Sequence, residues 1–96
     1  IKLNMEKLNV KELIKQVSGE FVDKFKERGL EEIISFPEED ISIKADGRYM
    51  YRVLENIYSN VAKYALENTR VYLDVIKNQH TVVIQMKNIS KQELNI

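Results

Sequence analysis

Asn56-Ile57-Tyr58-Ser59-Asn60-Val61-Ala62-Lys63-Tyr64 lies within a strongly helical segment and puts Asn56, Asn60 and Lys63 on one stripe, at i, i+4 and i+7. Asparagine is a poor helix-interior residue, because its amide competes for backbone hydrogen bonds. Two asparagines one turn apart, followed by a lysine, indicate a helix that turns polar groups toward a ligand. A magnesium-bound phosphate chain suits this set. Amide oxygens are hard ligands for the metal, and an ammonium is a point charge for phosphate.

Outward from that stretch, the same helix carries an apolar stripe of Met50, Val53, Leu54, Ile57, Val61 and Ala65. Asp46 is placed to cap it. At about 100° per residue the two asparagines and the lysine flank the stripe, which puts them at the rim of the core, partly sheltered. Upstream, Leu3 to Leu8 reads as a short strand. Asn9 follows as a helix cap, with Glu12 three residues on. Val10, Leu13, Ile14, Val17, Phe21 and Phe25 recur at helical spacing, and Gly29 stops this first helix. Glu32 to Phe36 and Ile41 to Ala45 read as strands separated by Pro37. Downstream, Thr69 to Ile76 and Thr81 to Met86 alternate as the two arms of a hairpin around Lys77-Asn78-Gln79-His80. Lys87 to Ile96 is polar and aperiodic. The order (β)αββαββ predicts an α+β fold, a two-layer α/β sandwich with helices on one face of a mixed or antiparallel sheet.

Composition sets the outer limits. The 96 residues suffice for one small domain. With 15 basic and 15 acidic residues the formal charge is zero, which argues against nucleic acid as a partner. Apolar residues make up 44% and charged residues 31%, as in ordinary globular domains. There is no cysteine, hence no disulfide and no thiolate metal site. Apolar runs are too short to span a membrane. The chain begins with Ile1, not methionine, and is expected to be cut from something longer.

Asn56-x-x-x-Asn60-x-x-Lys63-Tyr64, with Ile43-Lys44-Ala45-Asp46 and Arg52-Val53-Leu54-Glu55-Asn56 leading into it, resembles the N box of sensor histidine kinases, whose ATP-binding domains share the Bergerat fold of the GHKL superfamily. The resemblance implies a role for each matching position. Asn60 matches the asparagine that coordinates magnesium. Asn56 matches the polar position one turn earlier, facing the phosphates or their water, where hydrolytic GHKL ATPases place a glutamate base. An amide cannot take a proton from water, which suits a domain that transfers phosphate. Lys63 matches the basic residue near the phosphates, Tyr64 the aromatic beside adenine, and Arg52 a further phosphate contact.

The family's next motif is an aspartate for the adenine amino group, followed by glycines. Here Met86-Lys87-Asn88-Ile89-Ser90 takes its place. Asn88 can meet an adenine edge, since an amide both donates and accepts. All three glycines, Gly19, Gly29 and Gly47, lie in the first half, so the glycine-rich box and lid are absent from this sequence.

The implied unit, residues 1–96, is therefore the N-terminal part of such a domain. In the intact protein it would bind ATP with Mg2+ for transfer to a histidine on a separate dimerisation domain; by itself, without the glycine box and lid, it is expected to bind nucleotide weakly at best and to be inactive as a kinase. A response regulator would lie downstream, and a membrane-anchored kinase would hold this part in the cytoplasm. Alternatives are a non-catalytic GHKL-like interaction module, favoured by the altered Asn88-Ile89-Ser90 motif, and a hydrolytic GHKL ATPase, disfavoured by Asn56. An unpaired sheet edge is expected to promote self-association, as a homodimer. His80, in the hairpin turn without an acidic neighbour, is not the expected phospho-acceptor.

Overall fold

The computed structural model describes residues 3–88. Its elements are β1 (Met5–Asn9), α1 (Val10–Glu20), α2 (Val22–Glu27), β2 (Glu31–Ser35), β3 (Ser42–Asp46), α3 (Gly47–Tyr64), β4 (Arg70–Lys77) and β5 (Val82–Lys87). The expected order holds, and the fold is α+β with helices packed on a mixed sheet. The motif Asn88-Ile89-Ser90 and the tail to Ile96 lie outside the described residues, apart from Asn88 itself.

Both long helices start where the sequence places a cap. Asn9 is extended and its side chain accepts the Glu12 N–H at 3.1 Å. Asp46 does the same for α3, accepting the Tyr49 N–H at 3.1 Å. Each bond satisfies one of the orphan donors at a helix start. The first helix does not run unbroken to Gly29 as its periodicity predicts. It breaks at Phe21 (φ −104°, ψ 5°), whose N–H bonds to Ser18 O at 3.1 Å. Gly19, a weak helix former, sits in the tightened turn. The break still buries both Phe21 and Phe25, which is why the apolar spacing looked continuous.

β2 pairs in parallel with β4, and β4 in antiparallel with β5, giving the order β2-β4-β5. β1 and β3 form a separate antiparallel ladder, Met5 opposite Asp46 and Asn9 opposite Ser42. The core lies between the helices and the three-stranded sheet. Val10, Ile14, Val17, Phe21 and Phe25 face Leu54, Tyr58, Val61 and Ala65 and the inward residues Val71, Leu73 and Val75 of β4. Tyr58 stands at the centre, 5.6 Å from Phe21 and 5.8 Å from Phe25 between ring centroids.

Candidate functional site

The 18 residues of α3 carry the candidate site. Its buried side is Leu54, Tyr58, Val61 and Ala65, whereas Met50, Val53 and Ile57 are half-buried. The core-facing arc is therefore rotated from the sequence expectation, because Tyr58 is wholly enclosed. One consequence corrects that expectation: Asn56, Asn60 and Lys63 are exposed, not sheltered at the core rim. Asn56 points about 180° away from the buried arc. Arg52, Asn56, Asn60, Lys63 and Tyr64 fall within an arc of about 120°. All five are exposed, Tyr64 at 55%.

The side chains of Asn56, Asn60 and Lys63 make no hydrogen bond or ion pair with the described residues. An exposed helical face rich in asparagine, with no internal partner for the amides, leaves their oxygens available to a ligand. A magnesium ion carrying phosphate oxygens and waters needs only one or two such protein oxygens. The donor set therefore fits a nucleotide-borne metal. No group of three or more His, Cys, Asp or Glu able to hold a metal by itself occurs among the described residues.

Two other candidates stand apart. Arg52 borders a cavity of about 1050 Å³, together with Glu6, Leu8, Leu13, Asp46, Arg48, Tyr51 and Glu55. Tyr51 donates to Glu20, and that carboxylate pushes its phenol up to about 12. Asn88, at the end of β5, borders a different cavity of about 420 Å³ with Thr69, Arg70, Tyr72 and Lys87. The described residues thus gather the α3 face but do not join it to Asn88 in one cavity.

Sequence reasoning missed the clasp under the end of α3. The Arg28 guanidinium donates to the carbonyls of Ala62 and Ala65 and lies 3.8 Å from the Glu67 carboxylate. Its only sequence signal is a cation just before the helix-stopping Gly29. A second missed group is Ser18, Glu32 and Tyr58. Ser18 Oγ donates to Glu32, whose other oxygen is buried without a partner. The Tyr58 hydroxyl lies beside that carboxylate, outside hydrogen-bond geometry. Burial first, and then Glu32, push its acidity far down.

No protein-family model matches the chain. No curated protein matches it significantly. Solved structures do. The histidine kinase AdeS of Acinetobacter baumannii superposes with a TM-score of 0.83 at 16% identity, over 94% of this chain and 44% of that one. The nucleotide-free catalytic domain of histidine kinase ThkA gives 0.83 at 21% identity, over 88% and 57%. ThkA in complex with the response regulator protein TrrA gives 0.79 at 22% identity, over 85% and 25%. At these identities the likeness is one of fold. The chain has the fold of histidine kinase catalytic domains, and spans about half the length of the first two structures.

Proposed function

We propose that this chain is the ATP-binding part of a protein-histidine kinase, its α3 face receiving MgATP for transfer to a histidine on a separate dimerisation domain. The observation that carries this reading is the unengaged stripe of Asn56, Asn60 and Lys63 on the solvent side of α3, opposite the core. The likeness of fold to histidine kinase catalytic domains supports it.

The residue roles follow from their chemistry. Asn60 offers its amide oxygen to magnesium. Lys63, three residues beyond Asn60, sets a point charge against phosphate. Arg52, on the same arc, extends the cationic edge. Tyr64 presents an amphipathic ring to a base, and Asn88 an amide to the adenine edge. Asn56 orients phosphate or its water and cannot serve as a base, so the site favours transfer over hydrolysis. When bound, magnesium neutralises charge on the phosphates. The protein contributes positioning and electrostatics, with little acid–base chemistry of its own. The response regulator held by ThkA supports a partner of the same class here, in a kinase whose membrane anchor lies elsewhere. No helix among the described residues is long and apolar enough to cross a membrane.

The test is calorimetric titration of the intact protein with ATP, with and without magnesium, beside Asn60→Ala. Magnesium-dependent binding weakened about tenfold or more by Asn60→Ala is expected, the scale of one lost ligand interaction. Equal affinity in the two proteins would remove Asn60 from the site. A second reading, an interaction module without nucleotide, is favoured by the separation of Asn88 from the α3 face. Absence of any ATP binding selects it.

A further inference from the structure

An α-helix ends with carbonyls that have no partner of their own and with a negative partial charge. Both matter at the end of α3, because Lys63 and Tyr64 occupy its last turn. Here four carbonyls at and just beyond the helix end are engaged. Val61 O accepts the Ala65 N–H at 2.9 Å, and Leu66 O accepts Thr69 Oγ1 at 2.6 Å. Ala62 O and Ala65 O accept the two terminal nitrogens of Arg28, a side chain 34 and 37 residues away in sequence and 18% exposed.

Those two carbonyls bracket Lys63-Tyr64. The Arg28 fork is planar and rigid, so bonding both fixes the intervening backbone in orientation as well as position. The fork itself is anchored. Arg28 O accepts the Asn68 N–H at 3.0 Å, and the Glu31 N–H bonds to Thr69 O at 3.1 Å. Gly29 makes the turn behind it at φ +67°. At 100° per residue, Lys63 and Tyr64 project from the side of α3 away from Ala62. Arg28 therefore grips the turn from beneath, without reaching the solvent face where a nucleotide would sit.

We infer that Arg28 is a positioning residue for the proposed nucleotide site: it holds the last turn of α3 so that Lys63 meets phosphate. The inference rests on the ATP-binding reading above. A lysine in its place supplies charge but only a point contact, and reaches one carbonyl where arginine reaches two.

The experiment is a double-substitution cycle in the intact protein, with magnesium–ATP affinity read by calorimetry at a temperature where every variant is folded. The proteins are the unsubstituted chain, Arg28→Met, Lys63→Met and the pair. Arg28→Met, which keeps the stem and removes the fork, is expected to weaken binding about tenfold, and less than about twofold once Lys63 is already Met. Arg28→Lys is expected to fall between, and carries the cycle if Arg28→Met does not fold. Full, independent losses from both substitutions would mean that Arg28 does not act through Lys63, and would overturn the inference alone. Unchanged affinity in Arg28→Met does the same. Failure of the unsubstituted chain to bind magnesium–ATP overturns the ATP-binding reading and this inference together.

Discussion

Single residues at the junction of α2 with β2 show how local geometry is enforced. Gly29 sits at φ +67°, and a Cβ there would lie 2.2 Å from Asn68 Oδ1. Asn68 is itself left-handed at φ 62°. Two left-handed residues thus face each other, and only the glycine side leaves room. Gly29→Ala is expected to destabilise the protein by about 1–3 kcal/mol, from the left-handed cost and the displacement of Asn68. Adding Asn68→Gly, which removes the obstructing amide and tolerates positive φ, should return part of the loss. Urea unfolding of the three proteins checks this; a neutral Gly29→Ala would mean that the turn relaxes freely. The glycine was legible in the sequence as a helix stop because that signal is local. Its fit against Asn68 was not, since the two residues meet only after α3 and the sheet have formed.

Secondary-structure elements show the same division. The caps of α1 and α3 were legible because a capping side chain and the N–H it satisfies lie within three residues. Asn9→Ala is expected to cost about 1 kcal/mol, the usual worth of such a cap. Asp46 does more than its cap: its other oxygen accepts the Asn4 N–H at 2.7 Å and ties the strand entering β1 to the start of α3. That bond first, and the Tyr49 bond second, hold its carboxyl below the usual carboxylate range. The ionised form is therefore favoured by folding. Its stabilising contribution is complete above the ordinary carboxylate value and is lost as pH falls through the lowered folded value. Asp46→Asn keeps one acceptor for the cap, loses the second for Asn4, and does not titrate. Thermal melts between pH 2 and 6 should show the variant less stable at the upper end, with the gap closing toward the acid end. A constant gap would remove Asp46 as its source. The parallel pairing of β2 with β4 was not legible: its register depends on the path of α3 across the sheet, and no short motif encodes that path.

Across the whole molecule, the candidate site is set by which side of α3 the core claims, and Tyr58 decides it. Read by spacing alone, Met50, Val53 and Ile57 belong to the core stripe and a tyrosine does not. In the folded chain Tyr58 is 0% exposed, joins the rings of Phe21 and Phe25, and thereby links α1 and α2 to the sheet beneath. That choice rotates Asn56, Asn60 and Lys63 fully into solvent. The packing and the hydroxyl of Tyr58 make opposite contributions. Its ring fills the centre of the core, so Tyr58→Ala is expected to cost about 3–5 kcal/mol. Its hydroxyl is buried without a partner beside the Glu32 carboxylate, an arrangement that costs free energy. Tyr58→Phe keeps the ring and removes that group, so it is expected to be neutral or stabilising by about 1 kcal/mol. Urea unfolding of both variants, with far-ultraviolet circular dichroism as the probe, separates the two contributions. A loss of more than about 1 kcal/mol in Tyr58→Phe would mean that the hydroxyl donates to Glu32 in solution, closing a network with Ser18 across α1, β2 and α3. Retained stability in Tyr58→Phe would leave ring packing as what orients α3 and turns its polar face outward.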